Sequence, residues 1–245
     1  MPELHGSIAL RFLAETRIDR EAAGGRLRPA IGEAPPFKFY PGVEYTELPR
    51  RWSAGEEGLA SLLQRRRSLR SFAPGSLELD DLAFLLWAAQ GVTGRAGNYL
   101  FRTAPSGGAL YPIETYLCCE RVNGLAPGLF HFDVVNFRLE RLSEGAMAKR
   151  TAAACLGQSF MARGAVIFVW TAVLRRNMSK YGHRGLRYIL LDAGHICQNL
   201  LLAAEAVGCG GCPVAAFDDG ELGALLEVDP DEEPVLYSAV IGHRR

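Results

Sequence analysis

The segment that most constrains the fold is AVIFVWTAV, residues 165–173, a run that is apolar except for one threonine. A run of this length cannot span a bilayer, because a membrane helix needs about 20 apolar residues. Its branched and aromatic side chains favour a strand, and a strand without a polar face has to be buried. The sequence therefore predicts a globular fold with a sheet at its centre.

Strand and helix patterns interleave along the chain without the regular period of a parallel α/β fold. This order predicts an α+β sandwich, with a mixed, mostly antiparallel sheet flanked by helices. The longest helix is predicted from Gly185 to Val207. An acidic first turn and a closing Gly91 bound another helix at 77–92. The other predicted segments are helices at 3–15, 56–66, 143–156 and 218–226, strands at 113–122, 128–133, 137–142 and 234–242, a loop at 93–112, and a strand and turn at 209–217.

Residues 1–50 differ in composition from the rest of the 245-residue chain. They are rich in Gly and Pro after the first helix and show no periodicity, which is typical of a loop. The aromatic residues Phe37, Phe39, Tyr40 and Tyr45 indicate that this part packs against something. We expect an N-terminal arm at 1–50 that packs on the core or on a second subunit, and one folded domain at 51–245.

Net charge and the lack of a long apolar segment argue against two classes of partner, nucleic acids and membranes. The chain has 27 basic and 27 acidic residues and a net charge of +0, whereas a general nucleic-acid binder carries a basic excess. No membrane span is visible, so we expect no membrane partner. The N-terminal residues lack the basic region and cleavage site of a signal peptide. These features predict a cytoplasmic protein.

The six cysteines are too few and too irregularly spaced for a disulfide scaffold. Cys209 and Cys212 form a single C-x-x-C. A structural zinc site needs a second pair or histidines at ligand spacing, and the sequence offers neither. We expect no metal site, and we interpret the two cysteines as small residues where a strand meets a turn.

Positive charge is concentrated in RRRSLRSF, residues 65–72, although the whole chain is neutral. A charge run is usually a solvated face. Guanidinium groups also match phosphate oxygens, and a nearby hydroxyl adds a hydrogen bond. The chain has no Walker-type or G-x-G-x-x-G motif, so a phosphate bound here would be held by side chains. The candidate set is Arg66, Arg67, Ser68 and Arg70.

Two further segments contain candidate site residues, one in a glycine-rich loop and one in the long helix. APSGGALYP, residues 104–112, has glycines that let backbone approach a flat ligand, although its composition alone favours a plain loop. In the long helix, Asp192, His195 and Asn199 share one face. Buried polar groups must be paired, so this helix either lines a polar pocket or crosses a partner subunit. A single core histidine is usually structural, and we do not expect His195 to be catalytic.

SKYGHRGLRY, residues 179–188, places Lys180 and Tyr181 beside several cations. A lysine among cations can serve as a base, and a tyrosine can relay a proton. An exposed basic turn before a helix has the same pattern, and the pattern alone favours that interpretation.

Taken together, these segments resemble the nitroreductase superfamily of FMN enzymes. Within it they resemble the SagB-type branch, the azoline dehydrogenases of thiazole/oxazole-modified peptide biosynthesis. The resemblance covers about residues 37–245. PSGGALYP and KYGHRGLRY carry the resemblance to the branch, and the order and spacing of the segments carry that to the superfamily. The motifs are RRRSLRSF, RTAPSGGALYPIETY, GLFHFD, SKYGHRGLRYILLDAGHICQNLLLAAEAVG, CPVAAFDD and IGHR.

The resemblance implies a nitroreductase-like fold and a homodimer with FMN at the subunit interface. It implies that the arginine segment grips the FMN phosphate, that the PSGGA loop crosses the flavin, and that the CPVAAF turn faces its N5 edge. Many relatives have Gly where Ala216 stands, so its methyl group narrows the space over the ring. The implied FMN contacts are Arg66, Arg67, Ser68, Arg70, Pro105, Ser106, Gly107, Gly108, Ala109, Pro213, Val214, Ala215, Ala216 and Arg244.

Lys180 and Tyr181 match the Lys-Tyr pair implicated in proton removal in azoline dehydrogenases. Making an azole from an azoline removes a proton and a hydride from adjacent carbons, so a base is needed besides the flavin. The resemblance implies a peptide substrate, a cyclodehydratase complex as partner, and reoxidation by oxygen. Two alternatives stay open: an NAD(P)H-dependent nitro or quinone reductase, and a flavin-binding partner subunit with little activity alone.

Overall fold

A seven-stranded sheet forms the centre of the fold in the computed structural model, which describes residues 7–18, 31–52, 57–97 and 99–245. All ladders of this sheet are antiparallel, so the predicted mostly antiparallel sheet is confirmed. The strands of the chain are β1 (Tyr45–Glu47), β2 (Val92–Ala96), β3 (Tyr99–Arg102), β4 (Ile113–Cys119), β5 (Gly128–Asp133), β6 (Arg138–Glu144), β7 (Val166–Ala172), β8 (Cys209–Val214) and β9 (Val235–His243).

The sheet order is β1-β6-β5-β4-β7-β9-β8, and β2 and β3 form a separate hairpin. Strand β7 lies between β4 and β9, and all of its residues are buried. This confirms the prediction from its apolar run. The helices are α1 (Ile8–Glu15), α2 (Leu59–Arg65), α3 (Leu79–Gln90), α4 (Ala148–Ala154), α5 (Leu174–Tyr181), α6 (Gly185–Ala206) and α7 (Asp219–Leu226).

Helices cover both faces of the sheet because side chains alternate along the buried strands. Phe168 and Trp170 point to the face packed by α3 and α6. Val169, between them in sequence, belongs to the hydrophobic cluster on the other face, together with Ala148 of α4 and Leu222 of α7. The long helix α6 matches the predicted helix at 185–207 within one residue.

Two predictions of secondary structure are wrong: one helix begins later than predicted, and one predicted loop contains a hairpin. The helix predicted at 143–156 begins too early, because Ser143 still pairs with Leu129 and Glu144 with Gly128 in the sheet. Gly145 then adopts a φ of 92°, which ends the strand, and α4 starts only at Ala148. The loop predicted at 93–112 contains the hairpin β2–β3, which carries little apolar periodicity because it lies largely exposed.

The segment before α6 also differs from the exposed turn that its pattern favours. Residues 174–181 form the helix α5, which ends where Gly182 takes a φ of 58°. Its buried residues are the polar Arg176 and Asn177, while Leu174 and Met178 are partly buried against the core. Leu174, Met178 and Tyr181 follow a helical spacing, but the segment is short and rich in basic residues, which favoured its interpretation as a basic turn.

Parts of the predicted arm contact the core. Strand β1 pairs with β6, and Leu48 is buried. Thr16, just after α1, accepts hydrogen bonds from Arg184 and Arg187. Residues 1–6 and 19–30 lie outside the described residues, as does the start of the helix predicted at 3–15. The division at residue 50 stays a prediction.

A row of four buried ionisable side chains, called the charge chain below, runs across three strands of the sheet to α5. The His131 imidazole lies with Nδ1 3.0 Å from Glu140 Oε2 and Nε2 3.0 Å from Glu114 Oε2. The other oxygen of Glu114 lies 2.6 Å from Arg176 Nη1. Burial lowers the pKa of His131, but the hydrogen bonds and charges of the two glutamates outweigh it and raise the pKa above its ordinary value. Burial would raise the pKa of Glu114 and of Glu140, yet the bond from His131 holds both below their ordinary values.

We expect this charge chain to give the protein a stability maximum between two pH limits. The lowered pKa of Glu114 and Glu140 gives stability that is present above pH 4.5 and is lost as pH falls through their folded values. The raised pKa of His131 gives stability that is present below pH 6.5 and is lost as pH rises through its folded value. Urea unfolding at a series of pH values should therefore show a falling alkaline limb that His131→Gln flattens. An equally steep limb in that variant would contradict this assignment.

Candidate functional site

The PSGGA loop lies directly against the end of α5. Gly108 has a φ of 72°, and a Cβ atom built on it would overlap the Tyr181 hydroxyl and come within 3.2 Å of Lys180 Nζ. A side chain at position 108 is thus excluded by both conformation and space. The structure brings together two segments, residues 105–109 and residues 180–181, that are far apart in sequence.

Lys180 and Tyr181 occupy the last turn of α5. Lys180 is exposed and Tyr181 is half-buried, and Lys180 Nζ lies 5.3 Å from the centre of the Tyr181 ring. Tyr181 packs edge-on against Tyr188 of α6 at 4.9 Å between ring centres. The amine therefore points into solvent-accessible space while the phenol is held in place by packing.

An open cavity of about 510 Å³ lies in front of Lys180. This volume falls within the usual range for small-molecule sites. The cavity is called the lysine cavity below, and the arm, the hairpin and the loop all contribute to its walls. Its lining comprises Glu33, Ala34, Pro36, Phe37, Tyr99, Leu100, Ala109, Leu110, Tyr111, Arg176, Ser179 and Lys180.

Asp192 of α6 holds the PSGGA loop through hydrogen bonds. Its buried carboxylate accepts a hydrogen bond from Ser106 Oγ at 2.6 Å and one from the Gly107 N–H at 3.3 Å. Ser106 Oγ in turn accepts the Tyr111 N–H at 2.9 Å. Burial raises the pKa of Asp192, although the bonds from Ser106 and Gly107 oppose that rise. The sequence showed a carboxylate in an apolar helix, but nothing in it indicated that a loop 86 positions away was its partner.

Replacing Asp192 with Ala is expected to destabilise the protein by about 1–3 kcal/mol, because Ser106 and Gly107 lose a charged acceptor in a buried place. Urea unfolding measures the change. Asp192→Asn is the matched control, since it keeps an oxygen acceptor of the same shape and should cost less. An alanine variant as stable as the wild type would show that the loop does not depend on this anchor.

Arg102 holds the other end of the loop and was missed by sequence reasoning. Its guanidinium donates to Gln90 Oε1 at 2.8 Å and stacks over the Tyr111 ring at 4.6 Å. Burial lowers the pKa of Arg102 to about 10. Arg102 is the first residue of the motif RTAPSGGALYPIETY, but the hairpin that carries it was predicted as a loop and no role was assigned to it.

The arginine segment runs along the edge of the sheet beside β8. The Leu69 N–H donates to the Gly211 carbonyl at 2.8 Å, and Ser68 forms a parallel bridge with Gly211. Burial raises the pKa of the Cys197 thiol on α6 to about 12, and the nearby charge of Arg66 opposes this rise. Burial also raises the pKa of the Cys212 thiol on β8, and the nearby charge of Arg70 opposes that rise. The Arg70 guanidinium lies over the Phe160 ring.

The four polar residues of this segment are not equally available to a ligand. Arg67 donates to the carbonyls of Gln64 and Arg66. In the described ranges no carboxylate pairs with Arg66 or Arg70, and the Ser68 hydroxyl has no partner. Two guanidinium groups and a hydroxyl without acidic neighbours fit a phosphate well.

Arg244 has a strong partner within the protein. It pairs with the carboxylate of Glu205, which is almost fully buried, and Arg65 Nε lies 3.4 Å from the same carboxylate. Arg244 also donates to the Cys209 carbonyl at 3.3 Å. The contact of Arg244 with a phosphate stays a prediction, and in it the guanidinium group would have to bind both the phosphate and Glu205.

The turn that follows β8 lies next to the arginine segment. Pro213 and Val214 end the strand two and three residues beyond Gly211, the partner of Ser68. Ala215 and Ala216 are exposed, and their N–H groups have no acceptor in the part of the chain that the structure describes. Their position is fixed by bonds to carbonyls, from Ser238 Oγ to Val214 and from Gln158 to Ala216.

The predicted site residues thus form two groups that both contact α6. One group contains the arginine segment, the turn and Arg244, and Arg244 reaches α6 at Glu205. The other contains the PSGGA loop, Lys180 and Tyr181, and it reaches α6 at Asp192. The donors of the first group fit the phosphate of a flavin.

Cys209 and Cys212 are free, buried thiols of β8. Across residues 7–18, 31–52, 57–97 and 99–245, no three His, Cys, Asp or Glu side chains converge as they would around a metal ion. Within the same ranges, no helix combines the length and apolar character needed to cross a membrane.

The nitroreductase family model matches residues 63–243. A nitroreductase-like protein of Methanocaldococcus jannaschii is 34% identical over 74% of this chain and 89% of its own length. The trifolitoxin-processing protein TfxB of Rhizobium leguminosarum is 30% identical over 70% of this chain and 48% of its own. The microcin B17-processing protein McbC of Escherichia coli is 27% identical over 52% of this chain and 49% of its own. The chain therefore spans about half the length of the two peptide-processing relatives.

Solved structures show the same fold. A nitroreductase-like protein of Anabaena variabilis has a TM-score of 0.78 and 25% identity, with 97% of this chain and 46% of that chain covered. The Escherichia coli microcin synthetase complex McbBCD, solved with truncated pro-MccB17 bound, has a TM-score of 0.65 and 24% identity. That match covers 82% of this chain and 79% of the other.

Proposed function

This chain belongs to the nitroreductase family and is an oxidoreductase, and on that premise we propose that it oxidises azoline rings in peptides to azoles with FMN as its cofactor. The observation that carries the proposal is the contact between the Lys180–Tyr181 pair and Gly108 of the loop. A pyridine-nucleotide-fed reductase has no step that requires a lysine base at the flavin, whereas azole formation does.

Bound FMN would supply a two-electron acceptor for the hydride that leaves the azoline ring. Arg66, Ser68 and Arg70 would hold its phosphate, because their donors face no carboxylate among the described residues. The N–H groups of Ala215 and Ala216 would face one edge of the ring. The family resemblance places the PSGGA loop close to the ring, and the loop would bring Lys180 and Tyr181 to the same place, because Gly108 packs against both.

The ring carbon next to the departing hydride also loses a proton, and a protein group has to take it. Lys180 lines the lysine cavity and would accept this proton. Tyr181, packed against Tyr188, would hold the ring and pass the proton on. One proton and one hydride leave adjacent carbons, and the azoline becomes an azole.

The peptide substrate and the partner proteins are inferred from the relatives. TfxB and McbC are named as proteins that process trifolitoxin and microcin B17. The McbBCD complex, whose fold matches over most of this chain, was solved with a truncated precursor bound. These names support a peptide substrate and a cyclodehydratase complex as the partner.

A homodimer fits the exposed surface of α6. Leu190 and Leu191 are 49% and 59% exposed, although they belong to an otherwise apolar helix. Adjacent exposed leucines of this kind are typical of a face that another protein covers. The family resemblance implies that FMN would lie between the two subunits of such a dimer.

Oxidation of an azoline-bearing peptide in air tests the proposal. We expect the peptide mass to fall by two hydrogen atoms per ring, with oxygen consumed in step. A peptide of the same sequence with open cysteine or serine residues is the control and should be unchanged. Absence of any mass change with FMN-loaded protein and its partner proteins present would contradict the proposal.

A nitro or quinone reductase is the second candidate, favoured by the relative from Methanocaldococcus jannaschii, which the chain covers over 89% of its length. Such an enzyme would take hydride from NADH or NADPH and pass it to a small acceptor. Rapid loss of flavin colour on adding NADPH alone would favour this function.

A further inference from the structure

A second cavity adjoins the lysine cavity. It also measures about 510 Å³, and the two cavities share Phe37 and Leu100 in their walls. It is lined by residues of the arm, α3, the hairpin and the turn between β5 and β6, and it is called the aromatic cavity below. Nothing in the proposed chemistry at Lys180 uses this second space.

The walls of the aromatic cavity are built from large flat rings. Trp52 lies 5.1 Å from Trp87 and 6.3 Å from Phe137, measured between ring centres. Phe37 adds a fourth ring on the side of the lysine cavity. The rings pack on one another and form an aromatic wall, and an aromatic guest can pack on such a wall with its face or its edge.

Two arginines give the cavity a positive rim. Arg50 donates to the Asn136 carbonyl at 2.7 Å, and Arg95 donates to the Gly97 carbonyl at 3.2 Å. Both side chains are exposed, and within the described ranges neither forms an ion pair with a carboxylate. The lining itself contains no acidic residue, so positive charge there is uncompensated.

We propose that the aromatic cavity binds an aromatic side chain of the peptide substrate that has an acidic residue beside it. The proposal rests on the proposed function, because it treats the cavity as a subsite next to the ring that is oxidised. The rings of Trp52 and Trp87 would pack on the guest, and Arg50 and Arg95 would pair with its carboxylate. A peptide lying across Phe37 and Leu100 would reach both cavities at once.

Short peptides without an azoline test the subsite apart from catalysis. Acetyl-Asp-Phe-Asp-amide is the probe, and acetyl-Lys-Phe-Lys-amide and acetyl-Asp-Ala-Asp-amide are its matched controls. The chain has three tryptophans, of which two line this cavity and Trp170 is fully buried in β7. We expect the probe to change the tryptophan emission of the FMN-loaded protein and to bind at least about tenfold more tightly than either control. Equal binding of the probe and the lysine peptide would overturn the proposal.

Charge reversal at the rim provides the second test. Arg50→Glu with Arg95→Glu should weaken probe binding at least about tenfold, and Lys149→Glu with Arg150→Glu, the same change on the surface of α4, should leave it unaltered. Unaltered binding in the first variant would overturn the proposal. Displacement of the probe from the wild type by NADPH would assign the cavity to a nucleotide and would also overturn it.

The outcomes separate this subsite from the proposed function. If azoline peptides are not oxidised but the acidic aromatic probe keeps its preference, the proposed function fails and the subsite remains. If azolines are oxidised but the three peptides bind alike, the subsite fails alone.

Discussion

Replacing Lys180 with Ala is expected to leave FMN bound and to reduce azole formation by about 10²–10⁴-fold, the usual effect of losing a general base. The side chain is exposed at the end of α5, so its removal takes little from the fold. The lysine cavity would keep its other walls, and substrate binding should change less than the rate. Turnover of an azoline peptide and the flavin absorbance of the purified variant measure the two quantities separately.

Lys149→Ala is the matched control, because Lys149 is equally exposed and lies on α4, outside the cavity lining. It should form azoles at the wild-type rate. Tyr181→Phe keeps the ring that packs on Tyr188 and removes only the hydroxyl, so it should reduce the rate less than Lys180→Ala. Azole formation at the wild-type rate in the Lys180 variant would remove the lysine from its proposed role.

The second large effect is expected at the proposed phosphate site. Arg66→Ala combined with Arg70→Ala should yield colourless protein, because two charge-assisted contacts of about 1.5–3 kcal/mol each are lost. Together they correspond to a fall in FMN affinity of about 10²–10⁴-fold. The flavin absorbance of the purified protein and titration of the FMN-free form with FMN measure the loss.

Lys149→Ala combined with Arg150→Ala removes the same charge from a distant helix and should stay yellow. Arg67→Ala is a finer comparison, since Arg67 already donates to two backbone carbonyls and should matter less than its neighbours. A fully yellow Arg66/Arg70 variant would mean that the phosphate is held elsewhere.

The fold could be predicted where local pattern and burial agree. Apolar contacts cover both faces of the strand predicted at 165–173 and one face of the helix predicted at 185–207. Both elements are found as predicted. The hairpin β2–β3 and the helix α5 were missed for the opposite reason. Arg176 packs inward as the partner of Glu114, so part of the burial of α5 comes from an ion pair that hydrophobic periodicity does not reveal.

The candidate site could be predicted as a set of motifs but not as an arrangement. Sequence alone pointed to the segments around Ser68, Gly108 and Lys180. It could not show that Gly108 touches Tyr181, or that Asp192 holds Ser106, because both contacts join distant parts of the chain through the fold. It also could not show that Arg244 is paired with Glu205, since that requires knowing which carboxylate is buried beside it.

The most direct test of the central claim is an anaerobic visible spectrum of the FMN-loaded protein, recorded before and after one equivalent of an azoline-bearing peptide, with NADPH added to a separate sample. We predict that the peptide removes the flavin colour and is converted to the azole, while NADPH alone leaves the flavin oxidised. Rapid bleaching by NADPH, with an unchanged spectrum after the peptide, would contradict the account and identify a pyridine-nucleotide-dependent reductase instead.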